Sequence, residues 1–128
     1  MRELADLLLV APLSANTLAK FTTGLADNLL ACIFRAWNAR ARPCIVAPAM
    51  NTLMYESAIT ATQLNFLQEK LGVQVLPTVE KKLMCGDVGL GAMIGVFEIK
   101  QAVISTLEIH ESNGKDLEKK RDLKADSK

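Results

Sequence analysis

Residues 5–12 read ADLLLVAP, an apolar run stopped by Pro12. Nothing in it alternates between polar and apolar, which predicts a strand buried on both faces of a parallel sheet. Two helical signals follow on its C-terminal side. Ser14 to Phe21 suits one short helix, Gly24 interrupts, and Asp27 can cap a second helix running through Arg40. Leu29, Leu30, Ile33, Phe34 and Trp37 fall on one face of that second helix, the face expected against a sheet. A second buried strand, Pro43 to Ala47, leads into Pro48-Ala49-Met50-Asn51, and Ser57 opens a helix to Leu71 that Gly72 ends. A third strand, Val73 to Leu76, stops at Pro77. A polar, glycine-rich stretch from Thr78 to Gly95 then precedes a last helix from Val96 to Glu111, with Val96, Ile99, Val103, Ile104 and Leu107 inward. Alternating strands and helices predict a parallel α/β layer architecture.

Composition narrows the function. The 128 residues suit one small domain, and half of them are apolar, enough for a real core. Fifteen basic and 14 acidic residues leave a formal charge of +1, with no basic block interleaved with aromatics, so a nucleic-acid footprint is not visible. A small-molecule or protein partner is expected instead. Cys32, Cys44 and Cys85 are odd in number and lack metal-ligand spacing, which favours reduced thiols in a cytoplasmic setting. Leu7 to Leu13 is far shorter than a membrane span, and no signal peptide is legible. Residues 1–111 are therefore expected to form the domain, and residues 112–128 a disordered, solvated tail, since 11 of the 18 residues from Glu111 onward are charged. The first strand raises a difficulty: three strands rarely bury such a run on both sides, so the chain is expected to lean on a partner or on an N-terminal part outside it.

Ligands of open parallel sheets gather at the carboxyl ends of strands, and all three such turns are unusual here. After Pro12 come Leu13-Ser14-Ala15-Asn16-Thr17, whose backbone N–H groups and hydroxyls can hold phosphate or a flavin edge. Turn chemistry alone reads first as an ordinary helix cap. After Ala47, Asn51 lies between Met50 and Met54 and can anchor a carboxylate without adding charge; a turn asparagine between two gap-filling methionines is the plainer reading. After Leu76, Lys81 to Met93 joins two cations, the Cys85 thiol and three glycines. Ammonium groups lower a thiol's pKa and glycines let a loop close, as a mobile acid requires, although a plain surface loop fits as well. Its glycine spacing, GxxGxG, is not the dinucleotide fingerprint. Burial accounts for Cys32 and Cys44, and His110 sits at a frayed helix end without a positioned site.

Taken in series, APLSANTLAKFTTGLADNLL (11–30), APAMNTLMYES (47–57) and KKLMCGDVGLGAM (81–93) resemble the homo-oligomeric flavin-containing cysteine decarboxylases, and within them the phosphopantothenoylcysteine decarboxylases. The resemblance runs from Met1 to about Leu107. It implies a Rossmann-like flavoprotein layer fold, an FMN cofactor, a trimer with flavin sites between subunits, and decarboxylation of 4′-phosphopantothenoylcysteine to 4′-phosphopantetheine in coenzyme A biosynthesis. It also assigns roles by position. Ser14, Ala15, Asn16, Thr17 and Ala49 would hold FMN; Asn51 would hold the substrate carboxylate; Lys82, Leu83 and Met84 would belong to a substrate clamp; Cys85 would be the catalytic acid, and no metal is implied. Tyr55 stands where the family usually has tryptophan.

The departure is at the front. Family members carry a first strand, a phosphate turn and an active-site histidine ahead of the stretch matching Met1 to Asp6, and this chain has none of them. The resemblance therefore implies either an internal methionine of a longer enzyme, the favoured reading, or a short chain impaired in activity. The alternative from another class is a non-catalytic accessory subunit, in a mixed trimer or regulating a phosphatase.

Overall fold

The computed structural model describes residues 5–82 and 88–126, without the side chains of Lys82, Val88 and Asp126. Three parallel strands form the main sheet: β1 (Leu8–Leu13), β2 (Cys44–Pro48) and β3 (Gln74–Val75), in the order β1-β2-β3. The helices between them are α1 (Ala15–Thr23), α2 (Leu29–Ala36), α3 (Thr52–Glu56) and α4 (Ala58–Glu69). A separate antiparallel hairpin, β4 (Val79–Lys82) and β5 (Val88–Ala92), precedes α5 (Val96–Asp126).

The centre of the sheet is β2. All five of its residues are buried, and their alternation divides the core between two faces. Cys44 and Val46 join Val10, Leu13, Leu18, Phe21, Phe34 and Leu67 on the face covered by α1, α2 and α4, while Ile45 and Ala47 meet Leu76 and Ile99 under α5. Each fully buried Ile or Val contributes about 1.5–3 kcal/mol of transfer free energy. β1 pairs only with β2 among the described residues and Leu9 is 40% exposed, the open edge expected where a run apolar on both faces has only two further strands beside it.

Several helix boundaries differ from the sequence reading for local reasons. The N-cap of α2 is Asn28, whose Oδ1 accepts from Ala31 N at 2.8 Å, while Asp27 pairs with Lys20 at 3.0 Å. That helix stops at Ala36 instead of Arg40. Asn38 Oδ1 accepts from Arg40 N, and Asn38 O from Ala41 N and Arg42 N, which closes a turn in place of another helical one. Its inward residues are Ala31 and Phe34, whereas Leu29 is 66% exposed. On α5 the packed stripe is Ile99, Ala102 and Val103, with Thr106 Oγ1 donating to Gln74 Oε1 at 2.9 Å; Val96 and Ile104 turn to solvent. Residues 112–126, expected as a disordered tail, continue α5, and 112–125 are exposed. No proline interrupts them, and the run of Lys, Arg, Leu and Glu from Lys115 to Ala125 has enough helix propensity to carry the helix onward.

Candidate functional site

The carboxyl ends of β1 and β2 carry the first two candidate turns. Ser14 caps α1: its Oγ accepts from Thr17 N at 3.1 Å and donates to Thr17 Oγ1 at 3.1 Å, and its carbonyl accepts from Leu18 N. The amides of Ala15 and Asn16 have no acceptor among the described residues, so this turn faces outward with two free donors at the positive end of a helix. Asn16 itself is exposed.

Ala49 and Met50 tie the turns together. Ala49 N donates to Leu13 O at 3.0 Å, at the root of the Ser14 turn, and Met50 N donates to Gly91 O at 2.9 Å, in the hairpin. Two adjoining amides therefore fasten the 48–51 turn to both of its neighbours. Asn51 then caps α3, with Oδ1 accepting from Met54 N at 2.9 Å. Because that oxygen is engaged, the exposed amide presents its Nδ2 donors, and no described residue accepts from them. Thr60 Oγ1 donates to Met54 O and pins α3 to α4.

The third turn is a hairpin where the sequence suggested a loop, with Lys81 opposite Gly89 and Lys82 opposite Val88. The alternation that marks a strand is hidden in Val79-Glu80-Lys81-Lys82 by charge and in Val88-Gly89-Leu90-Gly91-Ala92 by glycine. Gly91 explains why glycine is there: a Cβ would run into Met50 O and lie 3.1 Å from Tyr55 Cβ, so only a bare backbone can dock on the turn. Leu90 N also reaches Thr52 Oγ1 at 3.4 Å. Thr52 and Gly91 are site residues that the sequence reading did not single out. Between the hairpin and the cap of α3 lies a cavity of about 140 Å³ lined by Met50, Asn51, Thr52, Lys81, Gly89 and Gly91, among others. Leu83, Met84 and Cys85, and the side chain of Lys82, lie outside the described residues.

Below the site, burial in β2 pushes the Cys44 thiol up to about 12 from 9.0, which leaves it protonated and unreactive. Cys32 is exposed, with Sγ 3.4 Å from Ala26 O. Among the described residues no group of three or more His, Cys, Asp or Glu side chains could hold a metal, and no helix is long and apolar enough to cross a membrane.

The structure is that of an α/β protein whose parallel sheet carries donor-rich turns at its carboxyl edge, where ligands of open parallel sheets generally gather. The chain belongs to the flavoprotein family, whose model matches residues 1–108. It is 49% identical over 112 residues to the phosphopantothenoylcysteine decarboxylase of Mus musculus, covering 88% of this chain and 54% of that protein. A probable phosphopantothenoylcysteine decarboxylase of Arabidopsis thaliana is 55% identical over 93 residues, 73% of this chain and 45% of that one. The chain thus spans about half the length of the curated relatives it matches. Among solved structures, a PPC decarboxylase mutant complexed with pantothenoylaminoethenethiol superposes with a TM-score of 0.78 at 48% identity, over 84% of this chain and 58% of that one. A structure described as an FMN binding protein gives 0.75 at 48% identity, over 84% and 57%.

Proposed function

We propose that this chain furnishes part of an FMN-dependent decarboxylase acting on 4′-phosphopantothenoylcysteine, with residues 1–111 as the domain portion. The observation that carries this reading is the pair of amides, Ala49 N and Met50 N, which fasten the Ser14 turn and the β4–β5 hairpin to the turn bearing Asn51. The residues present fit a flavin: Ala15 and Asn16 offer unsatisfied amides, Ser14 and Thr17 offer hydroxyls, and Ala49 adds a small side chain on the same edge. Bound there, FMN would supply reversible two-electron redox chemistry at the substrate's thiol-bearing carbon.

The chain's own residues would do the rest. Asn51 uses its free Nδ2 donors to hold the substrate carboxylate as a neutral partner, which orients the group that leaves without adding a charge. Lys82, Leu83 and Met84 help to hold the substrate, and Cys85 supplies the proton that the decarboxylated product requires. The docking of Gly91 fixes the base of the β4–β5 hairpin against the turn that bears Asn51. Assembly as a trimer, or as a mixed trimer with a longer relative, belongs to the same reading.

The test is flavin absorbance together with carbon dioxide release from phosphopantothenoylcysteine, for the chain alone and mixed with a full-length relative. In the mixture, Cys85→Ser is expected to keep bound flavin and release carbon dioxide while losing the saturated product, and Asn51→Asp to keep flavin and lose carbon dioxide release by at least ~100-fold. Failure of both preparations to acquire flavin overturns the proposal. Flavin binding with unchanged release in Asn51→Asp removes the role given to Asn51. Phosphatase inhibition without decarboxylation would favour the accessory reading.

A further inference from the structure

A second cavity, of about 330 Å³, lies at the opposite end of the molecule from the candidate site. Its placement follows from topology. α1 leaves the carboxyl end of β1 and runs back along the sheet, so its last turn, Lys20 to Gly24, reaches the amino end. Residues 37–40 precede β2 and residues 70–73 precede β3, which brings all three segments to that end. The floor is aromatic: Phe21 and Phe34 are buried and stacked, with centroids 3.7 Å apart and planes at 4°. Trp37 forms a wall, held in orientation by Nε1 donating to Arg42 O at 2.9 Å, and Phe66, 38% exposed, lies at the mouth.

The rim is cationic. Lys20, Arg35, Arg40 and Lys70 line the cavity and no acidic side chain does. Cations at helix C-termini are ordinarily explained by the carbonyls they cap, and two of the four are accounted for in this way or by pairing. Arg40 Nη2 donates to Glu69 O and Lys70 O at 3.2 Å, and Lys20 is paired with Asp27. Arg35 lies along the left-handed cap Gly24, where an added Cβ would meet its Nε at 3.3 Å, and neither Arg35 nor Lys70 has an acceptor for its side chain among the described residues. Core packing accounts for Phe21 and Phe34; two uncommitted cations on the rim of a cavity that their ring edges and Trp37 line are required neither by that packing nor by helix capping.

We propose that this cavity binds a small planar aromatic compound carrying a phosphate or similar compact anion, of about the size of a nucleoside monophosphate. The ring packs over Phe21 and Phe34 against Trp37, and the anion is taken by Arg35 and Lys70. The volume lies at the lower end of the roughly 300–1,000 Å³ range of small-molecule pockets. The site is separate from the carboxyl edge, so its occupant does not compete with a ligand there, and the inference does not depend on the decarboxylase reading.

Trp37 is the only tryptophan of the chain, so its emission reports on this cavity directly. The experiment titrates the full chain with adenosine monophosphate, adenosine and inorganic phosphate, following emission at 295 nm excitation. Expected is a saturable change with the monophosphate, while adenosine or phosphate alone requires at least ~10-fold higher concentration. Arg35→Met and Lys70→Met each raise half-saturation roughly tenfold, the loss of one charge-assisted contact; Lys100→Met, an exposed cation on α5, does not. Far-UV circular dichroism verifies that the variants are folded. Absence of a saturable change, or parental titration by both Arg35→Met and Lys70→Met, overturns the proposal.

Discussion

At the scale of single residues, the site depends most on a position with no side chain. Gly91 docks the hairpin because nothing projects from its Cα, and Met50 O occupies the space a methyl group would need. Gly91→Ala should therefore separate hairpin from turn, costing about 1–3 kcal/mol of stability, with a larger proportional loss of any decarboxylase activity. Thermal unfolding and turnover measured side by side check this; an unchanged melting temperature with full activity would show that the docking is dispensable. Such a position was not legible beforehand. The sequence announces the chemistry of Asn51 and Cys85 through residue type, whereas the need for glycine at 91 arises from the approach of a segment some 40 residues away. Asn51 itself was legible only in part: the amide was expected to meet a carboxylate, but that its oxygen caps α3, leaving the donors outward, is a property of the fold.

Among the elements, β1 and β2 were both legible as apolar runs. In this chain α5 covers β2 and β3, and β1 has β2 as its one strand neighbour among the described residues, in keeping with the expectation that three strands leave such a run partly open. The hairpin β4–β5 was invisible because its strands are short, charged or glycine-rich, so the pattern that identifies strands was absent. The burial of β2 has a consequence in alkali. The native state holds the Cys44 proton to about pH 12, whereas the unfolded thiol releases it near 9.0. Unfolding is thus favoured progressively as pH rises above the unfolded value, and the native contribution is intact below it. At pH 10 the loss is on the order of 1 kcal/mol. Urea midpoints at pH 8 and 10 should fall further for the parent than for Cys44→Ala, in which that linkage is gone; parallel falls would mean that water reaches the thiol.

On the scale of the whole molecule, the charged end of α5 stands outside the sandwich. Residues 112–125 are exposed, and a Cβ added at Gly114 would meet nothing within 4 Å. Ending the chain at Glu111 should lower the far-UV helical signal while moving the melting temperature by no more than about 2 °C, since surface segments remote from packing contribute within about 0.5 kcal/mol. A larger drop would reveal contacts for this helix in an assembly. The main body behaves differently, because its ligand edge is cross-linked through a single dipeptide. Ala49 and Met50 hold opposite walls with neighbouring amides, so a molecule wedged against the Ser14 turn also loads the root of the hairpin. Deuterium uptake at Met50 is then a remote gauge: it should slow when the far turn is filled, before anything has touched the hairpin itself.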